Sequence, residues 1–329
     1  MIEHLLGKIH NVDCLSGLKT LPDGCINTCV TSPPYFGLRD YGVDGQIGLE
    51  PTPQDFVDAL VAVFREVKRV LRDDGTVWLN LGDSYAGSGK EASADGIVRL
   101  SEKSKKQITS AGTHEGVFKK TETPGLKPKN LIGIPWRVAF ALQADGWYLR
   151  QDIIWAKPNP MPESVTDRCT KSHEYIFLLS KGPKYYFDNE AIKEDSVGGN
   201  KGKTASFKRE NSKRGIADVC PASPMPTHRP DRDDTHYDGP KRNKRDVWTV
   251  ATKPCKEAHF ATFPPDLIRP CILAGCPEGG IVLDPFSGSG TVAMVSAEER
   301  RQYIGYELNP AYIDITNEKR IKDLQVKLF

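Results

Sequence analysis

Short, largely apolar runs alternate with longer segments of helical spacing along most of this 329-residue chain. Cys25–Val30 and Thr76–Leu81 have the length of strands, whereas Pro53–Leu71 repeats apolar residues every three or four positions. Parallel strands must be joined by crossovers, usually helices, so this alternation predicts an α/β fold with a largely parallel sheet. The other predicted strands are Leu5–His10, Leu149–Ala156, Glu174–Ser180, Gly280–Leu283 and Gln302–Tyr306, and the other predicted helices are Leu15–Pro22, Ile134–Leu142, Pro265–Leu273, Thr291–Glu299 and Pro310–Leu324.

Two long segments interrupt the alternation. Residues 86–130 have no apolar periodicity and are rich in Gly, Ser, Lys and Thr, and residues 191–246 have few large apolar residues. The first holds nine basic and five acidic residues and the second thirteen and nine, so each carries a net charge of +4 in a chain of +2. Such segments are typical of contact with a polyanion, and solvated loops share the same composition. We predict a single domain over 1–329 with an inserted loop at 86–130 and an inserted segment at 191–246 for recognition of, and contact with, a polyanionic target.

Membrane and metal classes have no support in the composition. No apolar run approaches 18 residues, and the first residues lack the layout of a signal peptide. The eight cysteines show no paired spacing typical of a zinc site. We therefore expect no bound metal, reduced thiols and a cytoplasmic protein.

A proline pair follows the predicted strand Cys25–Val30, within the stretch TSPPYFG at 31–37. Neither Pro33 nor Pro34 can donate a backbone hydrogen bond, so the strand ends in a rigid, donor-poor turn. Ser32 lies before this turn and Tyr35 after it. Taken alone, the stretch fits an ordinary turn with core aromatics as well as it fits a pocket for a flat, amino-bearing ring.

A glycine-rich segment, DPFSGSGT at 284–291, lies between a predicted strand and a predicted helix. In a parallel sheet such a loop marks the ligand crevice, and the amides at the helix start face the ligand. It lacks the GK[ST] of a phosphate loop, and Asp284 favours a cationic ligand over phosphates. Glu307, at the tip of the next strand, is placed to accept from ribose hydroxyls. S-adenosylmethionine, a nucleoside with positive charge and no phosphate, fits these features.

Together these stretches resemble the amino-methylating DNA methyltransferases, which alkylate N4 of cytosine or N6 of adenine. DPFSGSGT is similar to the family's cofactor loop and TSPPY to its catalytic motif, in the permuted order of the group called beta. The resemblance implies a Rossmann-like S-adenosylmethionine-dependent fold with a mostly parallel seven-stranded sheet and helices on both faces. The implied cofactor-binding residues are Asp13, Phe263, Asp284, Pro285, Phe286, Ser287, Gly288, Gly290, Thr291 and Glu307.

The proposed catalytic residues are Ser32, Pro33, Pro34 and Tyr35. An amine on an aromatic ring is a poor nucleophile because its lone pair is delocalised. The Ser32 hydroxyl and the Pro33 carbonyl can accept its two hydrogens, and Tyr35 can stack on the ring, a contact worth roughly 1–3 kcal/mol. Methyl transfer would be a direct displacement on a flipped-out base.

Further polar and aromatic residues near predicted strand ends are candidates for contact with the nucleotide. Arg39 can equally pair with Asp40 or Asp44, and charged loop residues are often simply solvated. The candidate substrate-binding residues are Phe36, Arg39, Tyr41, Lys157, Asn159, Arg168 and His173.

Several alternatives stay open on the sequence. Ser32 in place of aspartate favours methylation at N4 of cytosine, as serine does in the family. Methylation at N6 of adenine stays open, because serine- and aspartate-containing motifs do not distinguish the two bases cleanly. C5-cytosine chemistry needs a Pro-Cys nucleophile, and those at 254–255 and 270–271 do not follow the relevant strand. RNA or protein methylation, and a non-catalytic DNA-binding protein on this scaffold, are more distant alternatives. Duplex DNA is the implied partner; a cognate restriction endonuclease and the choice between monomer and homodimer stay open.

Overall fold

The computed structural model describes residues 2–38, 43, 45–87, 123–195, 241–253 and 263–322. The chain forms two compact units, Met1–Ile192 together with Arg245–Phe329, and Lys193–Lys244. In the second unit, β6 (Glu194–Asp195) pairs antiparallel with β7 (Lys241–Arg242), and Arg242 donates to Glu194 at 3.0 Å. This unit covers most of the predicted 191–246 segment. Most of the predicted 86–130 loop lies outside the described residues.

The first unit is built on an eight-stranded sheet. Its strands are β1 (Lys8–Asn11), β2 (Ile26–Thr31), β3 (Leu71–Leu81), β4 (Tyr148–Ala156), β5 (His173–Ser180), β8 (Val247–Thr249), β9 (Ile281–Asp284) and β10 (Gln302–Glu307). Their spatial order is β1-β10-β9-β2-β3-β5-β4-β8, and only β5 runs antiparallel to its neighbours. The predicted α/β fold with a mostly parallel sheet is confirmed. The eighth strand, β8, was not predicted, because three residues give no measurable periodicity.

Helices cover both faces of the sheet. The helices within the described ranges are α1 (Cys14–Lys19), α2 (Pro53–Val70), α3 (Ile134–Ala144), α4 (Pro265–Gly275), α5 (Thr291–Glu298) and α6 (Pro310–Ile315). Val77 and Leu79 share one core with α1, α2 and α3, whereas Val30 and Trp78 share the other with α4 and α5. Because successive side chains of a strand point to opposite faces, these two cores lie on opposite sides of the sheet. None of the helices in the described ranges is long and apolar enough to cross a bilayer.

Helix α2 illustrates how local sequence sets an element. The Thr52 hydroxyl accepts from the Asp55 amide at 3.2 Å, and Pro53 occupies the first turn, where its missing N–H removes no bond. The spacing predicts a helix to Leu71 and a turn at Asp73–Gly75, but Leu71 already begins β3. Residues 72–75 lie opposite a single residue of β2, because Ile26 pairs with Leu71 and Thr28 with Thr76. The charged turn is therefore a bulge inside a strand.

Two terminal elements also differ from prediction. The strand expected from Leu5 begins at Lys8, because Glu3–Leu5 forms a 3₁₀ turn. The last helix, expected over Pro310–Leu324, ends as α6 at Ile315 and continues as a wider π-helical turn through Arg320. Thr316 in this wider turn packs against Gly290, where an added Cβ would lie 2.2 Å from its methyl carbon. The glycine loop and the last helix thus meet at contact distance.

The strand order positions the two motifs. β10, β9 and β2 are consecutive in the sheet, and the loops after all three leave the same edge because the strands are parallel. The SPPY turn and the glycine loop, about 250 residues apart in the chain, therefore lie side by side.

Candidate active site

Thr31 and Asp284 join the two motif loops directly. The Thr31 hydroxyl donates to Asp284 Oδ1 at 2.6 Å, and the Phe286 amide donates to the same oxygen at 3.1 Å. Asp284 is only 3% exposed, and this burial raises the pKa of its carboxyl to about 7, against the opposing effect of the two hydrogen bonds. Its carboxyl thus connects the turn after β2 to the loop after β9. Thr31 was not singled out in the sequence as a site residue.

The glycine loop is held against β10. The Ser287 amide donates to the Tyr306 carbonyl at 2.9 Å, and the Ser287 hydroxyl donates to the Asp284 carbonyl at 3.1 Å. Gly305 of β10 makes this approach possible, because a Cβ there would lie 2.1 Å from Ser287 Oγ. The loop is therefore preformed by the strands around it.

Glu307 is the last residue of β10, and its carboxylate binds the backbone of the glycine loop. Its Oε2 accepts from the Gly288 amide and its Oε1 from the Asn309 amide, each at 2.8 Å. Burial raises the pKa of this carboxyl, while these amide bonds oppose the rise. Each oxygen retains capacity to accept a further hydrogen bond.

A cavity of about 820 Å³ opens between the motif loops. Of the predicted cofactor contacts, Asp13, Phe263, Pro285, Phe286, Ser287, Gly288, Thr291 and Glu307 line this cavity. The predicted catalytic residues Ser32, Pro33, Pro34 and Tyr35 also line it. Asp284 and Gly290 are not among its described lining residues; Asp284 acts from within the wall, and Gly290 packs on Thr316. The volume lies within the range of cofactor and small-molecule sites.

The turn after β2 offers free acceptors to this cavity. Within the described residues, the Ser32 hydroxyl and the Pro33 carbonyl make no hydrogen bond. Pro34 has no N–H to occupy either oxygen. Two acceptors on consecutive residues are therefore available to a ligand.

Tyr35 is held at its hydroxyl and along its ring. The hydroxyl donates to Glu174 Oε2 at 2.7 Å and lies 3.4 Å from Asn80 Oδ1. A Cβ on Gly82 would lie 2.5 Å from the Tyr35 ring. Glu174 also pairs with Lys157, and Asn80, Lys157 and Glu174 all line the cavity. Asn80 and Glu174 lie 45 and 139 residues from Tyr35 in the chain, so nothing local in the sequence relates them to it.

The other predicted substrate contacts are dispersed. Phe36 is 3% exposed and packs in the core against Phe56, with ring centroids 5.6 Å apart. Arg168 pairs with Glu163 at 2.7 Å, and the ring of His173 packs edge-on against Tyr175. None of the three is a described lining residue of the cavity.

Lys157 and Asn159 do line the cavity. Asn159 uses its side chain to hold the backbone of Thr252, donating at 3.1 Å and accepting at 2.9 Å. Arg39 and Tyr41 lie outside the described residues. Of the five candidates that the structure describes, two therefore lie at the cavity.

The second Pro-Cys pair, at 270–271, lies within α4 and not at the turn after β2. Cys271 of the pair at 270–271 is buried within α4, where its thiol lies 3.8 Å from the Leu267 carbonyl. Cys255 lies outside the described residues. No cluster of three potential metal ligands occurs in the part of the chain that the structure describes.

Comparison with known proteins gives one consistent result. A family model described as DNA methylase, of the N6/N4 type, matches residues 26–318. The chain is 49% identical over 304 residues to the Type II methyltransferase M.Cfr9I of Citrobacter freundii, covering 92% of this chain and 84% of that one. It is 47% identical over 308 residues to M.XycI of Xanthomonas campestris pv. cyanopsidis, covering 93% and 85%.

Solved structures with low sequence identity share the fold. The cytosine-N4-specific PvuII DNA methyltransferase aligns with a TM-score of 0.58 at 16% identity, over 98% of this chain and 93% of that one. A putative DNA modification methylase of Thermus thermophilus, solved with S-adenosyl-L-methionine, aligns with a TM-score of 0.54 at 20% identity, over 96% and 94%.

Proposed function

We propose the reaction of this chain from one premise: the chain belongs to the DNA methylase family of N6/N4 methyltransferases. It transfers a methyl group from S-adenosylmethionine to the exocyclic amine of a base in duplex DNA, with N4 of cytosine favoured. One observation carries the proposal: the SPPY turn and the glycine loop share a single cavity and are joined through Thr31 and Asp284.

S-adenosylmethionine suits the glycine-loop half of the cavity. Glu307 keeps acceptor capacity for the ribose hydroxyls, and Asp13 and Phe263 lie in the same cavity wall as the loop. The carboxylates of Asp13 and Glu307 in this wall favour a cationic ligand over a phosphate. When bound, the cofactor supplies a methyl group on a sulfonium.

The turn after β2 binds and aligns the amine. Ser32 Oγ and the Pro33 carbonyl accept the two amino hydrogens, which favours a pyramidal nitrogen with its lone pair directed to the methyl donor. Their lack of partners within the described chain supports this role. Tyr35 stacks on the ring, worth roughly 1–3 kcal/mol. The rate gain comes from alignment in a direct displacement, without a covalent intermediate.

The target base must leave the duplex to reach this cavity. Lys157 and Asn159 lie in the cavity wall on the loop after β4, where they can meet the flipped nucleotide. The 191–246 segment, with its net charge of +4, is proposed to contact DNA and select the sequence, within a single methyltransferase domain. The Type II names of the relatives support a cognate restriction endonuclease as a functional partner.

A direct test uses the purified full chain, tritiated S-adenosylmethionine and duplex DNA from a methylation-deficient host. We expect tritium in the DNA and N4-methylcytosine after digestion to nucleosides; N6-methyladenine would reassign the base within the same enzyme class. Transfer to RNA or protein but not to DNA would overturn the substrate class. A failure to bind S-adenosylmethionine would favour a non-catalytic DNA-binding protein. Methylation-aware sequencing of the product then gives the recognition site.

Glu307→Gln should weaken S-adenosylmethionine binding by about tenfold or more, because an amide NH₂ replaces one acceptor and faces a backbone N–H. Calorimetry on the full chain measures this dissociation constant. Glu278→Gln, on an exposed surface pair with Arg300, is the matched control and should leave the constant unchanged. Equal affinity in Glu307→Gln and the unmodified chain would exclude Glu307 as a cofactor contact.

A further inference from the structure

We propose that Glu174 is a positioning residue that fixes the Tyr35 ring as the stacking surface for the target base, acting through the Tyr35 hydroxyl. The stacking role of Tyr35 itself belongs to the proposed function, on which this inference rests.

The Tyr35 hydroxyl lies between two acceptors on different strands. It donates to Glu174 Oε2 of β5 at 2.7 Å, and Asn80 Oδ1 of β3 lies at 3.4 Å. At the 2.7 Å distance, Glu174 is the principal partner, and a bond to an ionised acceptor is stronger than one between neutral groups. The orientation of the ring is therefore set at its far end, away from the Ser-Pro-Pro turn.

The acceptors are themselves fixed. Asn80 is 4% exposed and donates through Nδ2 to the Tyr175 carbonyl at 3.0 Å and to Glu174 Oε2 at 3.3 Å. β3 and β5 pair side by side at this position, with Asn80 opposite Ile176. Groups carried on paired strands hold their positions better than groups on loops. Gly82, at the end of β3, lets the ring approach the backbone closely.

Lys157 holds the second oxygen of Glu174. Its ammonium pairs with Oε1, and it lies 4.1 Å from the centre of the Trp155 ring. The side chains of Lys157 and Glu174 are only 17% and 15% exposed, so both charges are largely removed from water. Burial of an ion pair seldom raises stability compared with apolar side chains of the same volume. A pair retained in the cavity wall is thus better explained by what it orients.

Three donors of the protein hold the Glu174 carboxylate in place. Oε1 receives Lys157, and Oε2 receives Tyr35 and Asn80, so both carboxylate oxygens already have donors within the protein. Lys157, a candidate for contact with the nucleotide, thus also pairs with Glu174 in the cavity wall. The geometry therefore supports Glu174 as a group that orients Tyr35.

The kinetic test is a double-mutant cycle on the full chain. Glu174→Met removes the acceptor at similar length, Glu174→Gln keeps an acceptor oxygen without the charge, and Tyr35→Phe removes only the hydroxyl. In single-turnover methylation of duplex DNA at saturating cofactor, we expect Glu174→Met and Tyr35→Phe each to lower the rate about tenfold, with Glu174→Gln between them and the unmodified chain. Glu174→Met added to Tyr35→Phe should change the rate less than twofold.

Two controls keep the cycle interpretable. Glu163→Gln removes the charge of a comparable carboxylate, which pairs with Arg168 and makes no contact with Tyr35, and it should leave the rate unchanged. S-adenosylmethionine affinity should be the same in all variants, because the glycine-loop contacts are separate. If Glu174→Met does not fold, the double-mutant cycle is measured with Glu174→Gln in its place, and the same comparison tests the inference. A Glu174 substitution that costs as much in the Tyr35→Phe background as alone would overturn the inference.

A second readout needs no DNA. With tyrosines labelled with ¹³C at the ring carbon that bears the hydroxyl, the Tyr35 resonance is identified by its loss in Tyr35→Phe. It should shift in Glu174→Met and stay in place in Glu163→Gln. An unshifted resonance overturns the inference whatever the reaction. A shift in Glu174→Met together with no methylation of DNA by the unmodified chain would overturn the proposed function instead.

Discussion

Tyr35→Ala should abolish methyl transfer to duplex DNA and leave S-adenosylmethionine binding intact. The ring supplies a stacking contact of roughly 1–3 kcal/mol, and its loss also frees the base to move relative to the methyl donor. A displacement of about 1 Å can cost roughly 100-fold in rate, so we expect a total loss of at least about 1000-fold. Single-turnover tritium transfer measures the rate, and calorimetry measures the cofactor dissociation constant, which should stay within about twofold.

Tyr148→Ala is the matched control for this experiment. Tyr148 begins β4, and its side chain is exposed at a place outside the described cavity wall. Its loss should leave the transfer rate unchanged. If Tyr35→Ala retains a tenth or more of the unmodified rate, the stacking role is wrong and the Ser-Pro-Pro turn acts without it.

Asp284→Ala should lower methyl transfer by about 100-fold and weaken cofactor binding as well. The substitution removes the acceptor for both the Thr31 hydroxyl and the Phe286 amide, so the turn after β2 and the loop after β9 lose their direct connection. A misalignment of the two loops acts on the reaction itself, since the amine and the methyl donor are held by different loops. Asp284→Asn keeps an acceptor for Thr31 and should retain more activity than Asp284→Ala. Equal activity in Asp284→Ala and the unmodified chain would exclude this connection.

The raised pKa of Asp284 gives the same residue a signature in stability. Burial raises the pKa of its carboxyl from 3.8 to about 7, so between these values the folded state holds a proton that the unfolded state has released. The free energy of unfolding should therefore fall as the pH rises through this window, by up to about 1.4 kcal/mol per pH unit from this group. Above pH 7 its contribution should be constant.

Urea unfolding at several pH values measures this dependence. Asp284→Asn cannot ionise, so its free energy of unfolding should lack the fall that Asp284 contributes between pH 4 and 7. The difference between the two proteins isolates one residue from all other titrating groups. Parallel curves for the two proteins would show that Asp284 does not titrate in this window.

Much of the fold follows from local pattern. Helix α2 could be predicted from the sequence because its N-cap Thr52, Pro53 in its first turn and its apolar stripe all lie within one segment. Strands such as β5 and β10 begin and end within about a residue of where their apolar runs predict. The misassigned places are those where a tertiary contact overrides local preference. The bulge at residues 72–75 exists because β3 pairs with β2 on both sides of it, and β8 exists only through its pairing with β4.

Predicting the site required local sequence motifs and also contacts between residues that are distant in the chain. Each motif could be recognised in the chain because its function depends on adjacent residues: the turn on two prolines, the loop on its glycines. Phe36 shows the limit of this reasoning, since an aromatic beside the turn pointed to the substrate but packs in the core against Phe56. The ion pair of Lys157 could not be predicted from local sequence either, because its partner Glu174 lies on another strand.

The sequence alone determined the class of fold, the two motifs and the order in which they occur, because periodicity, proline and glycine act over a few residues. Only the tertiary structure decided which groups meet: Thr31 with Asp284 across 253 residues, and Tyr35 with Glu174 across 139. Those contacts depend on the order of strands in the sheet and on side-chain directions at their ends. Neither is encoded in any single stretch of the chain.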